Sequence, residues 1–155
     1  MDNDAETSAD ARAEGSDRIH GHCLCGAVRF SSGAAAREIG ACHCGFCRRW
    51  GGGPLLALHC GPDLRIDSGA EQLSVYASSD WAQRGFCRHC GSHLFYKLLA
   101  TGEYFVPAGA FDEAAGRNFV LSSQIYVHKK PAYYDFAQAT PMLSEAQVIA
   151  QYAGG

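Results

Sequence analysis

Short stretches in which apolar and polar residues alternate run along this chain, separated by turn residues. Ala27-Val28-Arg29-Phe30, Leu64-Arg65-Ile66-Asp67 and Leu73-Ser74-Val75-Tyr76 repeat with a period of two, the pattern of half-buried strands. Pro54-Leu55-Leu56-Ala57-Leu58-His59 is an apolar run between Gly51-Gly52-Gly53 and Gly61-Pro62. Leu94-Phe95-Tyr96, Tyr104-Phe105-Val106 and Ser123-Gln124-Ile125-Tyr126-Val127 complete the set. Many short strands at fairly regular spacing predict a mainly β domain. One helix is marked, from Glu145 to about Tyr152. Ser144 is its N-cap, Gln147 sits where a capping box needs it, and Leu143 and Val148 are placed as a hydrophobic staple.

Composition narrows the picture. A chain of 155 residues suggests one domain, long enough to bury a core without cysteine staples. The net charge of −3 gives no electrostatic footprint for nucleic acid or an anionic membrane. No apolar run approaches the roughly 20 residues of a membrane span. The segment 1–18 carries Asp2, Asp4, Glu6, Asp10, Glu14 and Asp17 among small residues and reads as a disordered acidic tail ahead of a domain over 19–155. It lacks the positive start and apolar stretch of a secretory signal, so a cytoplasmic location is expected. There the cysteines stay reduced, and clustered reduced cysteines point to metal or catalysis.

Seven of the eight cysteines fall into tight groups: Cys23/Cys25, Cys42/Cys44/Cys47 and Cys87/Cys90. Thiolates a few residues apart can reach one ion if the backbone turns tightly, and glycine follows Cys25, Cys44 and Cys90. The natural partition is four plus three. Cys23, Cys25, Cys87 and Cys90 make a closed four-thiolate zinc site of structural kind, tying the start of the domain to its middle. Cys42, Cys44 and Cys47 supply three ligands and leave one position open, the pattern of a catalytic zinc. Two Zn2+ per chain are therefore expected. The triplet also admits a redox cluster, or a site closed by His20, His22, His43, His59, His89 or His93. Cys60 stands alone past an apolar run and reads as a buried hydrophobe.

These residues carry a resemblance. Gly21-His22-Cys23-Leu24-Cys25-Gly26-Ala27-Val28-Arg29-Phe30, Cys42-His43-Cys44-Gly45-Phe46-Cys47-Arg48-Arg49, Arg84-Gly85-Phe86-Cys87-Arg88-His89-Cys90-Gly91-Ser92, and Ile125-Tyr126-Val127 with Lys130-Pro131 resemble the glutathione-dependent formaldehyde-activating enzymes, a family that includes the centromere protein V domain. The resemblance implies a β-tent fold of short sheets leaning together. It implies the same partition, with Cys23, Cys25, Cys87 and Cys90 at a structural zinc and Cys42, Cys44 and Cys47 at a catalytic one. It also implies a carbon–sulfur lyase reaction that forms or breaks S-hydroxymethylglutathione from formaldehyde and glutathione. Where the family commonly has tryptophan after the late proline, this chain has Ala132-Tyr133-Tyr134.

Joining formaldehyde to a thiol needs no redox step. An open zinc can polarise the carbonyl or hold the sulfur as thiolate. Three cysteine ligands leave a formal charge of −1, which weakens Lewis acidity and favours thiolate exchange. Arg48, Arg49 and Arg84 offer bidentate partners for the two carboxylates of glutathione. Trp81 offers a flat apolar wall with a donor. The expected partner is thus a small thiol such as glutathione, with neither nucleic acid nor membrane, and exposed sheet edges leave room for a homodimer. Two other classes compete: a non-catalytic zinc module that builds an interaction surface, and a zinc or thiol redox sensor.

Overall fold

The computed structural model describes residues 18–33 and 37–153. The acidic tail, apart from Arg18, lies outside them. Two sheets carry the fold. The smaller is antiparallel, in the order β1 (Ile19–His22), β2 (Arg29–Ser32), β5 (Leu64–Ser68). The larger has eight strands. It contains β3 (Glu38–Cys42), β4 (Leu55–Gly61), β6 (Leu73–Ala77), β7 (Ala82–Cys87), β8 (His93–Leu98), β9 (Glu103–Pro107), β10 (Val120–Ile125) and β11 (Met142–Leu143). Their order is β11-β10-β3-β4-β9-β8-β7-β6. β10 runs parallel to both β3 and β11, and every other pair in this sheet is antiparallel. Among the described residues there are also three short α-helices, α1 (Gly45–Gly51), α2 (Glu113–Gly116) and α3 (Glu145–Ala153), and three 3-10 turns.

The mainly β expectation agrees with this architecture, and so does the C-terminal helix. In α3 the Ser144 N–H donates to Gln147 Oε1 at 2.8 Å, and the Gln147 N–H donates to Ser144 Oγ at 3.3 Å, a reciprocal capping box. Val148 buries its side chain on the inner face. The expected strand over Ser123–Val127 stops at Ile125. Tyr126 takes a left-handed conformation (φ 55, ψ 42) and a 3-10 turn follows over Val127–Lys129. Pro131, just beyond, has no N–H to offer a ladder.

Strands β1, β3, β7 and β11 and helices α1 and α2 escape the hydrophobic pattern. In β3 only Ile39 is large, because Gly40 and Ala41 suffice where the strand is hemmed in on both sides. β7 reads as polar, yet it buries Arg84 and Gly85 although it lies next to the edge strand β6. Gly85 faces Phe95 across the β7–β8 ladder, and a Cβ there would stand 2.3 Å from the Phe95 ring. α1 begins and ends in glycine, which masks it as a loop. One core unites the two sheets: Ile19 and Phe30 of the smaller meet Ile39, Leu58, Leu94, Phe95 and Val106 of the larger. Cys60 belongs to that core at 4% exposed, and burial pushes its thiol above the ordinary range.

Candidate metal centres and the adjoining cavity

Two tight turns bring four cysteines together. The first follows β1, where the Gly26 N–H donates to Cys23 O at 3.0 Å; the second follows β7, where the Gly91 N–H donates to Cys87 O at 2.7 Å. Gly26 and Gly91 have φ of +79 and +82, which L side chains resist, so the reading of these two glycines as turn formers holds. Gly45, after Cys44, instead opens α1. Ser92 ties the turns together: its Oγ accepts from the Leu24 N–H at 2.9 Å and lies 3.2 Å from Cys90 Sγ. The Ser92 hydroxyl holds the Cys90 thiol down at about 5.

The Sγ atoms of Cys23, Cys25, Cys87 and Cys90 all lie within 4.8 Å of one another. Sulfurs about 2.3 Å from a tetrahedral zinc stand about 3.8 Å apart. Cys23 and Cys25 are separated by 3.5 Å, and Cys25 and Cys87 by 3.8 Å. A donor set of four thiolates at this spacing fits a zinc ion and leaves it no open position.

The second cluster is built at a strand end and a helix start. Cys42 closes β3, Cys44 is the N-cap of α1, and Cys47 lies in its first turn. Cys44 Sγ accepts the Cys47 N–H at 3.3 Å, a cap made by sulfur. The three Sγ atoms lie within 4.8 Å of one another. They crowd each other strongly. Hydrogen bonds from Cys42 and Cys47 hold the Cys44 thiol far down, at about 2, while donation to Cys44 and Cys47 together with burial pushes Cys42 far up. A dication resolves this conflict by taking all three as thiolates.

No histidine joins either cluster among the described residues. His43, between Cys42 and Cys44, is fully buried and both its ring nitrogens are engaged: Nδ1 lies 2.7 Å from the Tyr134 hydroxyl and Nε2 lies 2.9 Å from Gln124 Oε1. The Gln124 amide nitrogen in turn donates to Thr140 Oγ1. Since an amide oxygen only accepts, Nε2 carries the proton and Nδ1 takes the tyrosine O–H. Tyr134, from the stretch that replaces the family's tryptophan, thus braces the triplet from behind.

Arg84 and Arg48 also contact this region. Arg84 is 2% exposed, and its Nη2 points to Cys47 Sγ at 3.6 Å. Its guanidinium lies 5.0 Å from the Tyr96 ring centre and 5.9 Å from that of Trp50. Arg48 Nε donates to the His43 carbonyl at 3.0 Å. Arg49 follows on α1 and is exposed. Trp81 is 54% exposed and meets Phe46 of α1 edge to face at 5.8 Å.

A cavity of about 310 Å³ opens beside the triplet, lined by Cys47, Trp50, Leu55, Arg84, His93 and Pro107 among others. Of the candidates singled out from sequence for substrate contact, only Arg84 lines it. Trp50 and His93 were missed in that role. Trp50 sits in a helix the pattern hides, and His93 was weighed only as a zinc ligand.

Fold and clusters together define a mainly β protein with two cysteine sites, each able to hold a metal ion. The chain belongs to the glutathione-dependent formaldehyde-activating enzyme family, whose model matches residues 18–129. A Schizosaccharomyces pombe protein described as an uncharacterized lyase is 32% identical over 130 residues, covering 83% of this chain and 93% of the relative. A Halomonas elongata protein, provisionally named a glutathione-dependent formaldehyde-activating enzyme, is 33% identical over 85 residues, 50% of this chain and 54% of that protein. The crystal structure of a Rhodobacter sphaeroides protein matches with a TM-score of 0.54 and 31% identity, covering 61% of this chain and 89% of that one.

Proposed function

We propose that this protein is a zinc-dependent carbon–sulfur lyase of the cytoplasm that acts on a thiol adduct of the S-hydroxymethylglutathione type. The observation that carries the reading is the contrast between the clusters. Four thiolates close one site, whereas three gather at the other and one of them, Cys47, lines a cavity. In this reading Cys23, Cys25, Cys87 and Cys90 hold a structural zinc. Cys42, Cys44 and Cys47 would hold a catalytic one, which would supply Lewis acidity toward a substrate thiol and favour its thiolate form.

The chain's own residues do the rest. His43, locked between Tyr134 and Gln124, fixes the backbone that joins Cys42 to Cys44. Arg84 sets a buried positive charge against Cys47 and offsets the excess negative charge of three thiolates. Trp50, Leu55 and Pro107 line the cavity with apolar surface beside the reacting sulfur. Arg48 and Arg49 lie on the same short helix as Cys47 and suit the carboxylates of glutathione. Trp81 and Phe46 extend an aromatic rim.

Elemental analysis of the protein purified without chelator, coupled to an assay of S-hydroxymethylglutathione formation and breakdown, tests the reading. About two zinc ions per chain, as a four-plus-three partition requires, with turnover lost when the more labile ion is removed, supports it. Full zinc loading without any effect on the adduct equilibration rate refutes it.

A further inference from the structure

Two polar atoms beside Cys47 lack partners, and they are of opposite kind. Arg84 Nη1 is the one buried side-chain nitrogen or oxygen among the described residues without a hydrogen-bond acceptor. Its sister Nη2 is committed to Cys47 Sγ, and the guanidinium packs on the Tyr96 and Trp50 rings. An arginine nitrogen can only donate, so Nη1 is a fixed donor awaiting an oxygen. His93, one strand away on β8, supplies the converse. Its Nε2 lies 2.9 Å from the carbonyl oxygen of Phe95. A carbonyl only accepts, so Nε2 carries the proton and Nδ1 is left as a bare acceptor with no partner among the described residues. Burial, helped by the Arg84 charge, pushes this imidazole down to about 4, so it stays neutral and keeps that tautomer. Both side chains pack against Trp50, the guanidinium at 5.9 Å and the His93 ring edge-on at 5.5 Å, and both line the cavity that Cys47 closes.

A donor and an acceptor lining one cavity against the same tryptophan are the complement of one functional group, a hydroxyl. We infer that Arg84 Nη1 and His93 Nδ1 form a subsite that reads the hydroxyl of a hydroxyalkyl thiol adduct, the oxygen accepting from Arg84 while its proton is given to His93. The subsite rests on the reading that Cys42, Cys44 and Cys47 hold a zinc with an open position, and it deepens that reading by assigning the end of the substrate beyond the sulfur. A plain thioether, which has no hydroxyl, leaves the buried Arg84 Nη1 unpaired and offers His93 no donor, and that loss is the source of discrimination. The same arrangement places the positive charge where negative charge gathers on oxygen as a thiolate adds to an aldehyde carbonyl.

The test compares two thiols of similar size, 2-mercaptoethanol and 1-propanethiol, binding to the zinc-loaded protein by titration calorimetry. Zinc content is checked for every variant. The ratio of the two dissociation constants is the readout, since loss of the metal or of packing moves both together. Arg84→Met and His93→Phe are each expected to shift that ratio toward propanethiol by roughly tenfold, the scale of one hydrogen bond to a charged or buried partner. His93→Gln, which keeps an acceptor, is expected to retain part of the preference. If Arg84→Met loses the triplet zinc, the His93 pair carries the test alone. A ratio unchanged in all variants overturns the subsite and leaves the lyase reading intact. A ratio that responds in a protein with no carbon–sulfur lyase turnover upholds the subsite and sinks that reading. Failure of both thiols to bind the zinc-loaded protein refutes both.

Discussion

Replacing Tyr134 with phenylalanine removes one oxygen and strands one nitrogen. The hydroxyl lies 2.7 Å from His43 Nδ1, in a side chain with no exposed surface. The other ring nitrogen is occupied by Gln124 Oε1 at 2.9 Å, and Gln124 is itself tied to Thr140, so the imidazole cannot turn to find a new partner. Losing a buried acceptor's partner costs about 1–3 kcal/mol, and the full ring stack with His43 is retained, so we expect about 2 kcal/mol of destabilisation. In urea, where m for a domain of this size is about 1–3 kcal/mol per molar, the midpoint falls by about 1 M with m unchanged. Tyr133→Phe is the control: that ring is 74% exposed and its hydroxyl has no hydrogen-bond partner among the described residues, so it should alter stability by less than about 0.5 kcal/mol. Because His43 sits between two cysteines of the triplet, Tyr134→Phe should also speed zinc release to a chromogenic chelator from that site and leave the four-cysteine site unaffected. Equal urea midpoints for the two variants would refute the argument that Tyr134 satisfies the buried histidine.

Four further outcomes are expected. Gly85→Ala drives a Cβ to 2.3 Å from the Phe95 ring and should destabilise by about 1–3 kcal/mol, with partial recovery when Phe95→Leu is added; additive losses in thermal unfolding would count against that contact. His93 is held at about 4 in the folded protein against an ordinary value near 6.5. Below about 6.5 the unfolded chain takes up a proton that the folded chain does not, so stability drops by up to about 3 kcal/mol between those values and then levels; His93→Gln should flatten that limb in urea midpoints measured against pH. Cys87→Ser, at a residue with no exposed surface, should prevent folding even in excess zinc, whereas Cys47→Ser should keep the circular dichroism of the fold, retain one zinc and lose turnover. Changing Arg48 and Arg49 together to alanine should raise the Michaelis constant for glutathione several-fold with little change in kcat, and an unaltered constant would remove the carboxylate clamp from the mechanism.

The sequence by itself determined more of the chemistry than of the architecture. Cysteine spacing is a local property: ligands one to three residues apart can share an ion, so the pairs Cys23/Cys25 and Cys87/Cys90 and the triplet Cys42/Cys44/Cys47 were legible before any sheet was drawn, while the fold brings the two distant pairs together. The capping box at Ser144 and Gln147 is local in the same way. A strand with one face in water also announced itself by alternation: in β5 Leu64 and Ile66 pack against the core while Arg65 and Asp67 are exposed. Tertiary structure decided what depends on non-local neighbours. β7 and β3 carry polar or small residues because adjacent strands and a cysteine cluster, rather than their own hydrophobicity, hold them in the sheet. Whether an arginine clamps a ligand or lies buried against a thiolate is invisible in its spacing; Arg84 and Arg49 look alike in sequence and end buried and exposed, respectively. Likewise, only the fold shows that His43 is walled in between Tyr134 and Gln124 while His93 keeps one nitrogen bare, because a histidine's role is set by which partners reach its two nitrogens, and those come from strands and loops far along the chain.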